Sequence, residues 1–136
     1  MSKIPDQWAF VQDLEKLIAF ARQTGFVLTL GGGWRSDVEA WINSLPHDCN
    51  LAAISPGGTM FRYETKVGGV GIRKSKHCER LAVDFNIFKD GKYLIEEEDF
   101  WKVEPLGIYW EALSPPMNRW GGHFQRKDTP HFERNI

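Results

Sequence analysis

The chain has 136 residues, 42% of them hydrophobic, which suits one globular domain spanning 1–136 that buries about two-thirds of the surface its unfolded form exposes. Seventeen Lys plus Arg against eighteen Asp plus Glu leave a formal charge of -1, which argues against nucleic acid and anionic membrane as partners. Two cysteines, Cys49 and Cys78, are too few for a disulfide scaffold and read as reduced thiols of a cytoplasmic product.

Near the N-terminus, Asp6 and Gln7 interrupt any apolar run, and no stretch reaches the ~20 apolar residues of a membrane span. The expectation is synthesis without an export signal. Apolar residues recur at Trp8, Val11, Leu14, Leu17, Ile18 and Ala21, the stripe of an amphipathic helix that Gly25 ends. Phe26 to Leu30 is short and β-prone and predicts a buried strand feeding a turn at Gly31-Gly32-Gly33. Ser36, with Glu39 three residues on, has the capping-box spacing of a second helix that stops before Pro46. Residues 46–74 carry Pro46, Pro56 and glycines at 57, 58, 68, 69 and 71 with little periodicity; the reading is a long loop, either a flap beside an active site or idle surface.

From Leu81 to Ile87 the alternation is clean: Leu81, Val83, Phe85 and Ile87 take one face of a strand, and Ala82, Asp84 and Asn86 the other. Asp84 therefore projects away from the core. Asp90-Gly91 marks a hairpin turn with a return strand through Tyr93 and Leu94. Glu96 to Leu113 predicts a helix, acidic at its start, that Pro105 and Gly107 break or kink. Arg119–Phe124 and His131–Arg134 read as two short strands joined by a polar turn.

A catalytic zinc site wants three nitrogen or oxygen ligands and an open position. Of the four histidines, His77 lies seven residues before Asp84, a distance that a turn followed by a strand can close onto one metal, and His131 follows Asp128 by three. Spacing alone leaves the set open, because isolated histidines in a domain of this size are more often structural. The surrounding residues narrow the choice. Ser75-x-His77-x-x-x-x-Ala82-x-Asp84, then Trp120-Gly121-Gly122-x-Phe124, then Asp128-x-Pro130-His131-Phe132, resembles the VanY-like D-alanyl-D-alanine carboxypeptidase and L-alanyl-D-glutamate endopeptidase family, within the hedgehog and D-Ala-D-Ala metallopeptidase fold group.

That resemblance covers roughly residues 25 to 134. It implies one zinc ion per chain held by His77, Asp84 and His131, with Asp128 as general base, Arg35 meeting substrate or the developing oxyanion, and Ser75 contacting substrate or supporting a ligand. Arg80, where many members have glycine, and His123, where an acidic residue is common, depart from the pattern and bear on the shape of the cleft. His123 is a candidate for substrate contact or a structural residue. Glu133 shares a strand face with His131 and either orients a ligand or pairs with an arginine. Cys78 reads as a packing or surface thiol and His47 as solvated. The basic cluster Arg73, Lys74 and Lys76 reads as a solvated face or as a contact for an anionic peptide.

The implied activity is hydrolysis of the stem peptide of bacterial peptidoglycan by a monomeric phage or prophage endolysin, held in the host cytoplasm until a holin-type lesion opens the membrane. The L-alanyl-D-glutamate bond is the expected target. The alternatives are a D-alanyl-D-alanine carboxypeptidase and, more distantly, a non-catalytic zinc-binding module. The expected fold is α+β: a small, mainly antiparallel sheet with helices packed on one face and the zinc cleft on the other.

Overall fold

The computed structural model describes residues 2–34, 50–54, 60–64 and 75–136. Arg35, the Ser36–Glu39 capping box, His47, Cys49, Arg73 and Lys74 lie outside the described residues. Helix α1 (Ile4–Gln23) is longer than the apolar stripe suggests; Pro5 and Asp6 suit its first turn, and Gly25, at φ 88°, turns the chain out of it. Its buried face is Phe10, Asp13, Leu17 and Ala21, whereas Trp8, Val11 and Ile18 are exposed. The expected stripe is thus rotated. The cause is Asp13, a carboxylate that an apolar pattern cannot register, which sits in the buried row and accepts hydrogen bonds from Ser114 at 2.7 Å and Asn118 at 3.0 Å.

Strand β1 (Phe26–Gly32) ends the order β1-β4-β7-β6 of an antiparallel sheet, with β4 at Ala82–Lys89, β6 at Asn118–Trp120 and β7 at His131–Arg134. Instead of a buried strand, β1 buries Phe26 and exposes Val27 and Leu30, and Gly31 and Gly32 continue the strand through a bulge rather than forming a turn. Within the segment expected to be an irregular loop, β2 (Asn50–Ile54) and β3 (Met60–Glu64) pair antiparallel. Asp90 and Gly91 both take positive φ, 52° and 76°, as a two-residue hairpin turn requires, and the return strand β5 (Lys92–Tyr93) pairs with the end of β4.

Glu97–Asp99 forms a short 3-10 turn, capped reciprocally by Glu96 and Asp99, that leads into helix α2 (Phe100–Leu113). Pro105 does not break α2. Its ring and the Trp101 end of the turn whose bond it forfeits are both exposed, so water can serve the freed carbonyl. Gly107 is neither a breaker nor a kink but a contact point, because a β-carbon there would overlap the Trp120 ring. The strand predicted over Arg119–Phe124 stops at Trp120, and Gly121–His123 turns as a 3-10 helix.

Val83, Phe85 and Ile87 of β4 and Phe132 of β7 face the helices and pack with Leu17, Val103, Leu106, Trp110 and Trp120 in one core. The register Ala82↔Glu133, Val83↔Phe132, Asp84↔His131 puts Asp84, His131 and Glu133 together on the opposite face. The α+β arrangement expected from the sequence, helices on one side of a small antiparallel sheet, is the arrangement found. No helix among the described residues is long and apolar enough to cross a membrane.

Candidate metal centre

His77 lies in the turn 76–80 that leads into β4. The Ser75 hydroxyl accepts from the His77 amide at 3.1 Å, and the Leu81 amide closes the turn onto the Lys76 carbonyl at 2.9 Å. Arg80 takes φ 59° here, the left-handed conformation that glycine adopts freely, and lays its guanidinium 5.0 Å from the centre of the Trp34 ring. The Nδ1 atom of His77 lies 2.8 Å from the Gly33 carbonyl. A carbonyl only accepts, so Nδ1 carries a hydrogen, and in the neutral imidazole the lone pair that a metal would take is at Nε2.

That Nε2 faces Asp84 Oδ2 at 3.3 Å, while Asp84 Oδ1 lies 3.0 Å from Nδ1 of His131. A donor atom from each of the three residues falls within 4.8 Å of the others, an arrangement that could hold a metal ion. The approach of β1 depends on its glycines: a β-carbon at Gly31 would press on the Asp84 carbonyl at 3.2 Å. Glu133 Oε1 takes the far nitrogen of His131, Nε2, at 2.8 Å, and Arg119 donates to Glu133 Oε2 from Nη2 at 2.7 Å and Nε at 3.1 Å.

Burial opposes charge on both Asp84 and His131, yet their mutual hydrogen bonding prevails. With no metal on the site, Asp84 is held well below the usual carboxylate range, against burial, by hydrogen bonds from His131 and His77. Burial likewise pulls the His131 imidazole down, but the bonds to Asp84 and Glu133 raise it to about 9. Burial pushes Glu133 up, and its bonds to His131 and Arg119 outweigh that and lower it.

The Trp120-Gly121-Gly122 run organises the loop beyond. Trp120 is fully buried, stacks on Phe100 with ring centres 5.3 Å apart, and donates its Nε1–H to the Thr129 carbonyl at 2.8 Å. A β-carbon at Gly121 would overlap the Asp128 carbonyl, and one at Gly122 would overlap the Trp120 ring. With both glycines in place, the Asp128 amide bonds the Gly121 carbonyl at 2.8 Å and the His131 amide bonds the Asp128 carbonyl at 3.1 Å. Asp128 is exposed and lines a groove of about 430 Å³ with Phe100 and Lys127 among its walls.

The structure therefore brings His77, Asp84 and His131 together and puts Asp128 in the turn that leads into His131. Ser75 gives its hydroxyl to the His77 backbone. His123 stands apart from the three-residue cluster, bonded to Glu111 at 2.6 Å and edge-on to Trp120. No residue type signals the Gly33 carbonyl as a partner of His77. The bond from Glu133 to His131 was open to it through the two-residue period, but the choice of Arg119 as the arginine required the β6–β7 register, in which Arg119 stands opposite Glu133.

His77, Asp84 and His131 thus form a histidine, aspartate, histidine donor set that could hold a metal ion on the open face of the sheet. Residues 69–134 match the family model described as D-alanyl-D-alanine carboxypeptidase. Among solved structures, the L-Ala D-Glu endopeptidase ChiX of Serratia marcescens shares the fold at a TM-score of 0.55 and 18% identity, over 91% of this chain and 79% of that one. A comparison with curated proteins finds no match. The family match takes in His77, Asp84, Asp128 and His131, and the likeness to the solved structure is one of fold.

Proposed function

We propose that this chain is a zinc-dependent peptidoglycan peptidase that cleaves the stem peptide at the L-alanyl-D-glutamate bond, in the role of a phage or prophage endolysin. The observation that carries the reading is the convergence of His77, Asp84 and His131 donor atoms within 4.8 Å of one another. The donors fit zinc: two imidazoles and one carboxylate, with the far nitrogen of each imidazole bonded to an oxygen, Gly33 O for His77 and Glu133 Oε1 for His131. Bound there, zinc supplies a Lewis acid for the scissile carbonyl and a water that ionises near neutral pH.

In this reading Asp128, in the turn before His131, takes a proton from the attacking water and returns it to the leaving amine. Its exposure on the rim of the groove leaves it accessible to substrate. Arg35 is assigned to the substrate or the developing oxyanion, which a cation stabilises. Ser75 keeps His77 in its turn, and His123 is assigned to substrate contact beside Trp120. The protein works as a monomer, and in the endolysin role it is made in the host cytoplasm and meets the wall after a holin-type lesion.

The endopeptidase assignment is supported by the activity named for the Serratia marcescens structure, whereas the description of the matching family names the carboxypeptidase alternative. The test is digestion of purified peptidoglycan by zinc-loaded protein, with fragments read by mass spectrometry. New amino-terminal D-glutamate or isoglutamine is expected. Loss of terminal D-alanine alone would move the assignment to the carboxypeptidase, and absence of any metal-dependent product would favour a non-catalytic zinc module.

A further inference from the structure

We propose that Glu133 is the positioning residue that presents Nδ1 of His131 to the metal, and that Arg119 fixes which oxygen of Glu133 does so. The inference rests on the metal reading of the His77, Asp84 and His131 cluster and adds to it a device for choosing the histidine tautomer. Glu133 is two residues beyond His131 on β7, so both side chains leave the same face of the sheet. Across β4 its neighbour is Ala82, whose single methyl leaves room for a carboxylate that is itself buried. The Trp110 indole pins the strand from the core side, donating to the Glu133 carbonyl at 3.0 Å and the Arg119 carbonyl at 3.2 Å.

The two oxygens of Glu133 have separate partners. Oε2 receives both the Nε and Nη2 hydrogens of Arg119, and Oε1 is left for Nε2 of His131 at 2.8 Å. Arg119 is held in its turn by the Phe124 ring, 5.1 Å away, and Phe124 also lies beside the His131 ring, 5.7 Å between centres. A carboxylate has no hydrogen to give, so the Nε2 position must carry one, and the lone pair of the neutral imidazole is then at Nδ1, the atom that faces Asp84. A surface ion pair with Arg119 would need nothing from His131. The division of the two oxygens is what marks Glu133 as more than the arginine's partner.

A near-isosteric exchange tests this sharply. In Glu133→Gln the amide oxygen is drawn to Arg119, its NH2 group then faces Nε2, and the imidazole is driven to the tautomer with hydrogen on Nδ1. Zinc affinity, measured by chelator competition on the purified protein, is expected to fall roughly 10- to 100-fold, as for loss of other partners of metal-bound histidines. Adding Arg119→Met frees the amide to turn its oxygen toward Nε2, and the double variant is expected to recover most of the lost affinity. A purely structural role predicts the reverse order, with the double variant no better than the single one. Wild-type protein that binds one zinc while Glu133→Gln binds it equally well, or a double variant that recovers nothing, would overturn this inference alone. Wild-type protein that binds no zinc would overturn the metal reading and this inference together.

Discussion

Gly107 and Trp120 meet so closely that a β-carbon on the glycine would overlap the indole ring. The contact lets α2 settle on the ring that stacks on Phe100 and, through its Nε1–H, holds Thr129 in the loop before His131.

Gly107→Ala therefore sets two effects against each other. Alanine gains about 1 kcal/mol of helix propensity over glycine. Forcing a methyl against a fully buried indole costs about 1 to 3 kcal/mol, because Trp120 is also wedged against Phe100 and the Gly122 backbone. Overpacking is the larger effect, and the expected result is net destabilisation, measured as a lower urea midpoint with unchanged slope. A midpoint above wild type would show that the ring moves aside freely.

Asp13 is buried at 6% exposure and accepts from both Ser114 and Asn118, joining α1 to the end of α2 and the start of β6. Asp13→Ala leaves those donors without their acceptor and is expected to cost about 1 to 3 kcal/mol by equilibrium unfolding. A change under about 0.5 kcal/mol, the range of ordinary surface substitutions, would mean the cluster contributes little.

The pH dependence of the metal-free protein follows from His131, raised from 6.5 to about 9. A group whose pKa is higher folded than unfolded contributes stability that is fully present below the unfolded value and lost as pH rises through the folded one. Stability of the chelator-treated protein is expected to fall between pH 6.5 and about 9. Asp84 has the opposite sign: its pKa is lowered, so its contribution is present above 3.8 and is lost in strong acid. Because zinc must displace the His131 proton, its affinity is expected to rise over the same 6.5 to 9 window, and a flat affinity profile would contradict the assignment of His131.

Asp128→Asn separates chemistry from metal binding. Asp128 is exposed and outside the cluster of three donors, so zinc stoichiometry is expected to stay at one while turnover falls by about 100-fold or more, the range for loss of a general base. Full activity in this variant would remove Asp128 from the proposed mechanism.

What the sequence made legible follows from which signals are local. The alternation from Leu81 to Ile87 reports the core face of β4, and the same parity carries Asp84 to the open face; the positive φ values of Asp90 and Gly91 match the hairpin turn that this pair marks. The stripe of α1 failed because Asp13 buries a charge where periodicity looks only for apolar side chains, while Trp8 and Val11 face outward. Pro105 misled because the cost of a lost helix bond depends on exposure, a property of the tertiary structure. The pairing of β2 with β3 was hidden among glycines and prolines that read as loop. For the site, the motif residues were readable, but the partners behind them were not. Gly33 reaches His77 through a backbone carbonyl that any residue type would offer, and Arg119 reaches Glu133 through strand register.

The most direct measurement is hydrolysis of purified peptidoglycan followed by the appearance of new amino termini, with zinc-loaded wild type, the same protein after chelation, and zinc-loaded His131→Ala run side by side. The account predicts new termini with the first and none above background with the other two, with activity returning when zinc is added back to the chelated wild type. Equal release by all three would contradict a metallopeptidase centred on His77, Asp84 and His131.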